Sequence, residues 1–133
     1  MNNLAEKENG EKVGGELCAY QNGTASKLGV APCFVPKFFA GPYGIVAYNE
    51  DEGWALASGG QPTIQVGDGC KTGTGLNNSG LWIFTREHTR DNDIVNKVRN
   101  VAKSKGFDIT VLNDVDQTNC DGRRRSLAAL RGA

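Results

Sequence analysis

The sequence predicts an antiparallel, mainly β domain with one C-terminal helix, and three observations predict it. The chain has 133 residues and 18 glycines, set among many short apolar runs, which is a pattern of strands and turns rather than of a helical bundle. Polar clusters that tolerate tight turns, Asn22-Gly23 and the run 49–53, separate consecutive apolar runs. One stretch, 92–105, carries apolar residues at helical rather than strand spacing.

Taken in order, residues 1–13 are polar and are expected to be a lead-in without structure, ahead of a domain at 14–120. Runs 16–20 and 26–34 read as two strands around Gln21-Asn22-Gly23-Thr24, because Asn and Gly both accept positive φ. The segment 35–42 is irregular, since Pro36 and Pro42 each lack a backbone donor. Runs 43–48 and 54–58 form the next pair of strands, joined by Asn49-Glu50-Asp51-Glu52-Gly53. Residues 59–80 form a long connection with seven glycines, either mobile or pinned at Cys70. Run 81–84 (Leu-Trp-Ile-Phe) is apolar on both faces, as in a strand packed on both sides.

The helix has the clearest local signals. Asp91 or Asn92 can cap it, and Asp93 suits its first turn. Ile94, Val95, Val98, Val101 and Ala102 make one narrow apolar stripe, so the other face meets water. Lys103 and Lys105 suit its end and Gly106 its left-handed stop. Run 109–112 is expected to be a sixth strand, and 121–133 a basic tail.

Composition excludes several roles. Lys+Arg and Asp+Glu are both 15, giving a formal net charge of zero and no electrostatic footprint for nucleic acid or an anionic membrane. No run approaches the roughly 20 apolar residues of a membrane-spanning helix. The first 16 residues have no apolar signal core. Cys18, Cys33, Cys70 and Cys120 lack the paired spacing of a zinc site. Their even number, with sequons at Asn22-Gly23-Thr24 and Asn77-Asn78-Ser79, favours an extracellular or lumenal compartment. A simple register about Asn22-Gly23 sets Cys18 near Lys27, which argues against Cys18–Cys33 and leaves Cys18–Cys70 and Cys33–Cys70 open.

Other motifs have plain readings. Gly67-Asp68-Gly69-Cys70-Lys71-Thr72-Gly73 lacks the glycine before lysine that a phosphate loop requires. His88, the only histidine, has no neighbouring nucleophile and acid in the sequence and reads as a surface residue. Asp114 and Asp116 read as solvated carboxylates on one strand face, and Arg123-Arg124-Arg125 as a solvated tail.

From Gly15 to Cys120 the order of these segments resembles the lipocalin family, close to its apolipoprotein D and bacterial branch. The resemblance is carried by Ala25-Ser26-Lys27-Leu28-Gly29-Val30, by Gly41-Pro42-Tyr43-Gly44-Ile45-Val46-Ala47-Tyr48 and by Trp54-Ala55-Leu56. It continues in Trp82-Ile83-Phe84-Thr85-Arg86, Gly106-Phe107-Asp108 and Asp116-Gln117-Thr118-Asn119-Cys120. It implies a calycin-type antiparallel barrel with the helix outside and a cavity for a small hydrophobic molecule such as a lipid, sterol, retinoid or pigment, with no cofactor. By the same resemblance Phe38, Phe39, Gly44, Val46, Tyr48, Trp54 and Trp82 are the ligand-binding candidates, and Arg86 is the signature arginine. Gly44, Val46 and Tyr48 are expected to share the inward face. The family's first strands, with their Gly-x-Trp signature, have no counterpart, so the barrel is expected to be incomplete and its edges, 16–20 and 81–84, open to a second copy. Cys120 then lacks its family partner strand. Two alternatives accompany this expectation: a lipocalin-fold enzyme acting on a lipid or xanthophyll, with Cys33 as its thiol, or a truncated chain with no activity of its own.

Overall fold

A computed structural model describes residues 2–75 and 78–118. Strands β1 (Asn2–Glu6), β2 (Lys12–Gln21), β3 (Lys27–Pro32), β4 (Gly41–Asn49) and β5 (Trp54–Ser58) follow one another. A small hairpin, β6 (Ile64–Val66) and β7 (Gly69–Lys71), precedes β8 (Leu81–Thr85) and helix α1 (Asn92–Ser104). The main sheet is antiparallel with strand order β1-β2-β3-β4-β5-β8. It curls into a half-barrel with α1 packed on its outer side. The mainly β, incomplete-barrel architecture expected from the sequence is therefore present.

Strand β5 organises the packing. Its Trp54 and Leu56 are buried in one cluster with Val98 and Ala102 of α1 and with Phe107. The residues opposite them across β5–β8, Thr85 and Ile83, share that outer face. The helix forms as its sequence predicts. Asp91 is the N-cap, its carboxylate accepting from Asp93 N at 2.9 Å and Ile94 N at 3.2 Å. Val98 and Ala102, from the middle of the apolar stripe, are fully buried. The β4–β5 hairpin is tied to the helix through Glu52, whose carboxylate accepts from Lys97 Nζ and, at 2.6 Å, from Trp54 Nε1. Those two hydrogen bonds hold the Glu52 carboxyl below the usual range.

Three expectations are corrected. Residues 2–6 are not a lead-in: β1 pairs with β2 from Asn2↔Glu16 to Glu6↔Lys12. The hairpin needs Gly14 at φ +119, where a Cβ would lie 1.9 Å from Asn3 O. This strand is exposed throughout its described side chains, so it lacks the apolar alternation that announces a strand in sequence. Residues 109–112 are not a strand but a 3-10 turn, Ile109–Val111. Asp108 redirects the backbone there, accepting from Thr110 N at 3.0 Å and Thr110 Oγ1 at 2.7 Å.

The third correction is the cysteine pairing, since Cys18 and Cys33 form a disulfide. The β2–β3 turn is longer than two residues, and Gln21 pairs with Leu28. That slides Cys18 opposite Ala31, two residues from Cys33 on the same face, and the Cα atoms lie 4.8 Å apart. The register assumed for an Asn-Gly turn therefore misplaced the partner by four residues. The pairings to Cys70 fall with it.

Of the two readings of the connection 59–80, the pinned one is present, and the segment also holds the hairpin β6–β7. It is pinned at Cys70 by backbone, not by sulfur: Cys70 N donates to Gly106 O and Asp108 N to Cys70 O, both at 2.8 Å. Cys70 is a free thiol. The basic tail 121–133, Cys120 and Asn77 of the second sequon lie outside the described residues.

Leu56 has no solvent exposure and sits at the centre of the cluster shared by sheet and helix. Leu56→Ala is expected to cost about 2–5 kcal/mol, read as a lower midpoint in urea denaturation at unchanged slope. A loss under about 1 kcal/mol would show that the helix does not pack there in solution.

Candidate functional site

The concave face of the sheet is built by alternation along three strands. On β5 the residues facing away from the helix are Ala55 and Ala57. Across β8, Ala55 is opposite Phe84 and Ala57 opposite Trp82. Across β4, Ala55 is opposite Tyr48 and Ala57 opposite Ile45. The middle strand thus lays a floor of two methyl groups, and its neighbours raise aromatic and aliphatic walls on either side.

The two halves of this trough differ. Over Ala57 the walls meet, and the Tyr43 and Trp82 rings stack with centroids 5.5 Å apart and planes at 25°. Small residues lie under the indole: Ala57, its pairing partner, is fully buried, and a Cβ at Gly59 would lie 3.2 Å from the ring. Trp82 is held from behind by Gly80, at φ +100, where a Cβ would lie 2.4 Å from the indole. Burial pushes the Tyr43 phenol above its ordinary value. Over Ala55 the walls stay open. Tyr48 is 70% exposed and Phe84 47%, and the trough there, about 1100 Å³, also takes in Ile45, Ser26 and Arg86.

The bulge in β4 decides which side chains reach this face. The pairing steps from Ile45↔Ala57 to Ala47↔Leu56, with Val46 as the extra residue. Tyr43 and Ile45 therefore share a face with Tyr48, while Ala47 lies opposite Leu56 and Gly44 opposite Ser58 on the helix side. Val46 packs against the helix-side cluster. Gly44, Val46 and Tyr48 do not share one face as strict alternation predicts.

Among the other expected residues, Trp82 lies on the trough wall. Trp54 is buried in the helix-side cluster and bonded to Glu52, and also borders the trough near Gly53 and Arg86. Phe38 and Phe39 sit on the 3-10 turn Lys37–Phe39 between β3 and β4, exposed and paired with each other at 4.3 Å. Arg86 closes one end of the trough, its backbone N–H donating to Gly53 O at 2.7 Å. Sequence reasoning missed Tyr43, Ile45, Ala55, Ala57 and Phe84. The alternation of small Ala55 and Ala57 with large Trp54 and Leu56 was the signal for a strand with one packed and one open face.

Asp114 is solvent-exposed as expected but lies outside any strand, and both Arg90 and Arg99 bond to it. Cys33 is spent in the disulfide, which removes the thiol considered for catalysis. Compared with known proteins, the chain matches no family model and no curated protein.

Because burial favours the neutral phenol, Tyr43 should ionise above pH 10 in the folded protein. The stability this group contributes is present below the unfolded value and lost as pH rises through the folded one. Absorbance titration of the protein against Tyr43→Phe is expected to place the missing step above 10, with less alkaline destabilisation in the variant. A missing step at or below 10 would show the ring to be solvated.

Proposed function

We propose that the chain binds a small hydrophobic molecule, a lipid, sterol, retinoid-like compound or pigment, in the slot over Ala55 between Tyr48 and Phe84. The observation that carries this reading is the open half of the trough. Two aromatic rings flank a methyl floor at a separation set by one intervening strand, about 10 Å from β4 to β8. A flat ring or an alkyl chain fits between such walls, and the Tyr43–Trp82 stack gives the slot a closed end. The ordered segments similar to lipocalins support the same reading. An oxidising compartment agrees with the Cys18–Cys33 disulfide. Binding without chemistry is favoured over the enzyme reading, because among the described residues the trough lining holds hydroxyls but no cysteine and no histidine to activate one.

The test uses the position of the two tryptophans. In Trp54→Phe, the remaining Trp82 is the single tryptophan reporter, on the wall that the trough shares with the outer groove. Retinol or a long-chain fatty acid is expected to change its fluorescence saturably. Ala55→Leu fills the floor of the slot and is expected to weaken binding at least ten-fold while leaving thermal unfolding within a few degrees. Absence of a saturable response to either probe, or equal affinity in Ala55→Leu, overturns the reading.

A second copy is the other occupant that an observation favours. Among the described residues β8 pairs with β5 alone, so one of its sides carries no strand partner. On β2, the outer side of Cys18–Gln21 lies beyond the reach of β1. Edges of this kind recruit further strands. Light scattering across a concentration series is expected to show mass rising above 14.2 kDa. A constant monomer mass rejects edge pairing.

A further inference from the structure

A second groove lies on the outer side, between β8, α1 and the segment 111–117, with a volume of about 590 Å³. It adjoins the concave trough, sharing Phe84, Thr85 and Arg86 with it, but its walls from α1 and from 111–117 take no part in the proposed function. One part of its lining is apolar: Val95, half-buried on the helix, and Val111 and Val115, both exposed. Another part is cationic. Arg90 and Arg99 each place an Nη2 on the same oxygen, Asp114 Oδ1, at 3.0 Å and 2.9 Å. Two guanidiniums on one carboxylate leave one positive charge unmatched, while Arg86 and Glu87 at the rim offset each other.

The Arg99 side chain is used by half. Its Nη2 and Nε hydrogens point the same way and form the edge that a carboxylate grips with both oxygens. Asp114 takes Nη2 alone. Nε is shielded from solvent and has no hydrogen-bond partner among the described residues, the single shielded side-chain nitrogen or oxygen in that state. A shielded donor without an acceptor costs about 1–3 kcal/mol, and here it faces an oxyanion position already half built. Asp114 itself is 65% exposed, on a segment without regular structure, so little holds it in place.

We propose that this groove binds an amphiphilic carboxylate. Its head group displaces Asp114 and takes Arg99 through Nε and Nη2, with Arg90 as second donor. Its alkyl chain lies along Val95, Val111 and Val115. Asp114 is the internal competitor that occupies the cations when no ligand does.

Decanoate, decanol and acetate, titrated into isotope-labelled protein and followed by NMR, test the proposal. Decanoate is expected to shift the amides of 111–117 and the Arg99 Nε–H saturably, with decanol and acetate at least ten-fold weaker. Arg99→Gln should lose at least ten-fold in decanoate affinity, and Asp114→Asn should gain several-fold. In Ala55→Leu the shifts should persist. Equal binding of decanol, which would mean apolar adsorption only, overturns the proposal on the unaltered chain. So does an Asp114→Asn variant that binds no tighter. Loss of the shifts in Ala55→Leu would assign decanoate to the concave slot and also overturn it.

Discussion

The burial of Leu56 against Val98 and Ala102 fixes the orientation of strand β5, and the rest of the structure depends on it. A strand can present only every second residue to one side. Once Trp54 and Leu56 are held under the helix, Ala55 and Ala57 must face the other way. Full burial of a side chain the size of Leu56 or Val98 stabilises the fold by about 1.5–3 kcal/mol. A slip of one residue would exchange large for small on both faces and lose the helix contact altogether. The same constraint that seats the helix therefore sets the depth of the trough behind it.

The β4 bulge is the second determinant. Without Val46 as an extra residue, Tyr43 and Tyr48 would fall on opposite faces, because five positions separate them. With it, both tyrosines reach the concave side, one closing the trough against Trp82 and one standing open opposite Phe84. A single added residue thus changes a strand with alternating aromatics into a wall with both on one side.

What the sequence made legible follows from the kind of force that made each element. The helix was readable down to its cap at Asp91 and its end at Gly106, because capping and an apolar stripe are local. The strands 16–20, 26–34, 43–48, 54–58 and 81–84 were readable from apolar runs between turn residues. Strand β1 was not, since a hairpin exposed on its described faces carries no apolar alternation. The 3-10 turn after Asp108 was hidden behind Ile109, Val111 and Leu112, which read as strand, whereas a side-chain hydrogen bond to Thr110 decided the backbone. The Cys18–Cys33 bond depended on turn length, and Asn-Gly indicated a shorter turn than the one formed. Of the residues named for the candidate site, Tyr48 and Trp82 stand on the concave side, whereas Trp54 packs mainly into the helix-side cluster. The residues that shape the trough, Ala55 and Ala57, have side chains too small to announce themselves.

The disulfide has a topological consequence. Cys18 and Cys33 stand 15 positions apart, and the bond makes everything between them a covalent ring containing the outer part of β2, the exposed turn at Asn22 and all of β3. Closing a ring of that size is worth about 3 kcal/mol on a chain-entropy estimate. It also separates two properties that coincide in a linear polymer. A single peptide-bond cleavage in the exposed turn opens the ring without dividing the molecule, so the strands on either side of the cut stay tethered at their inner ends. The carbohydrate acceptor sequence at Asn22 sits at the apex of this loop. The tip of the second hairpin can thus be decorated or nicked while the strand pairs that carry the trough keep their connectivity.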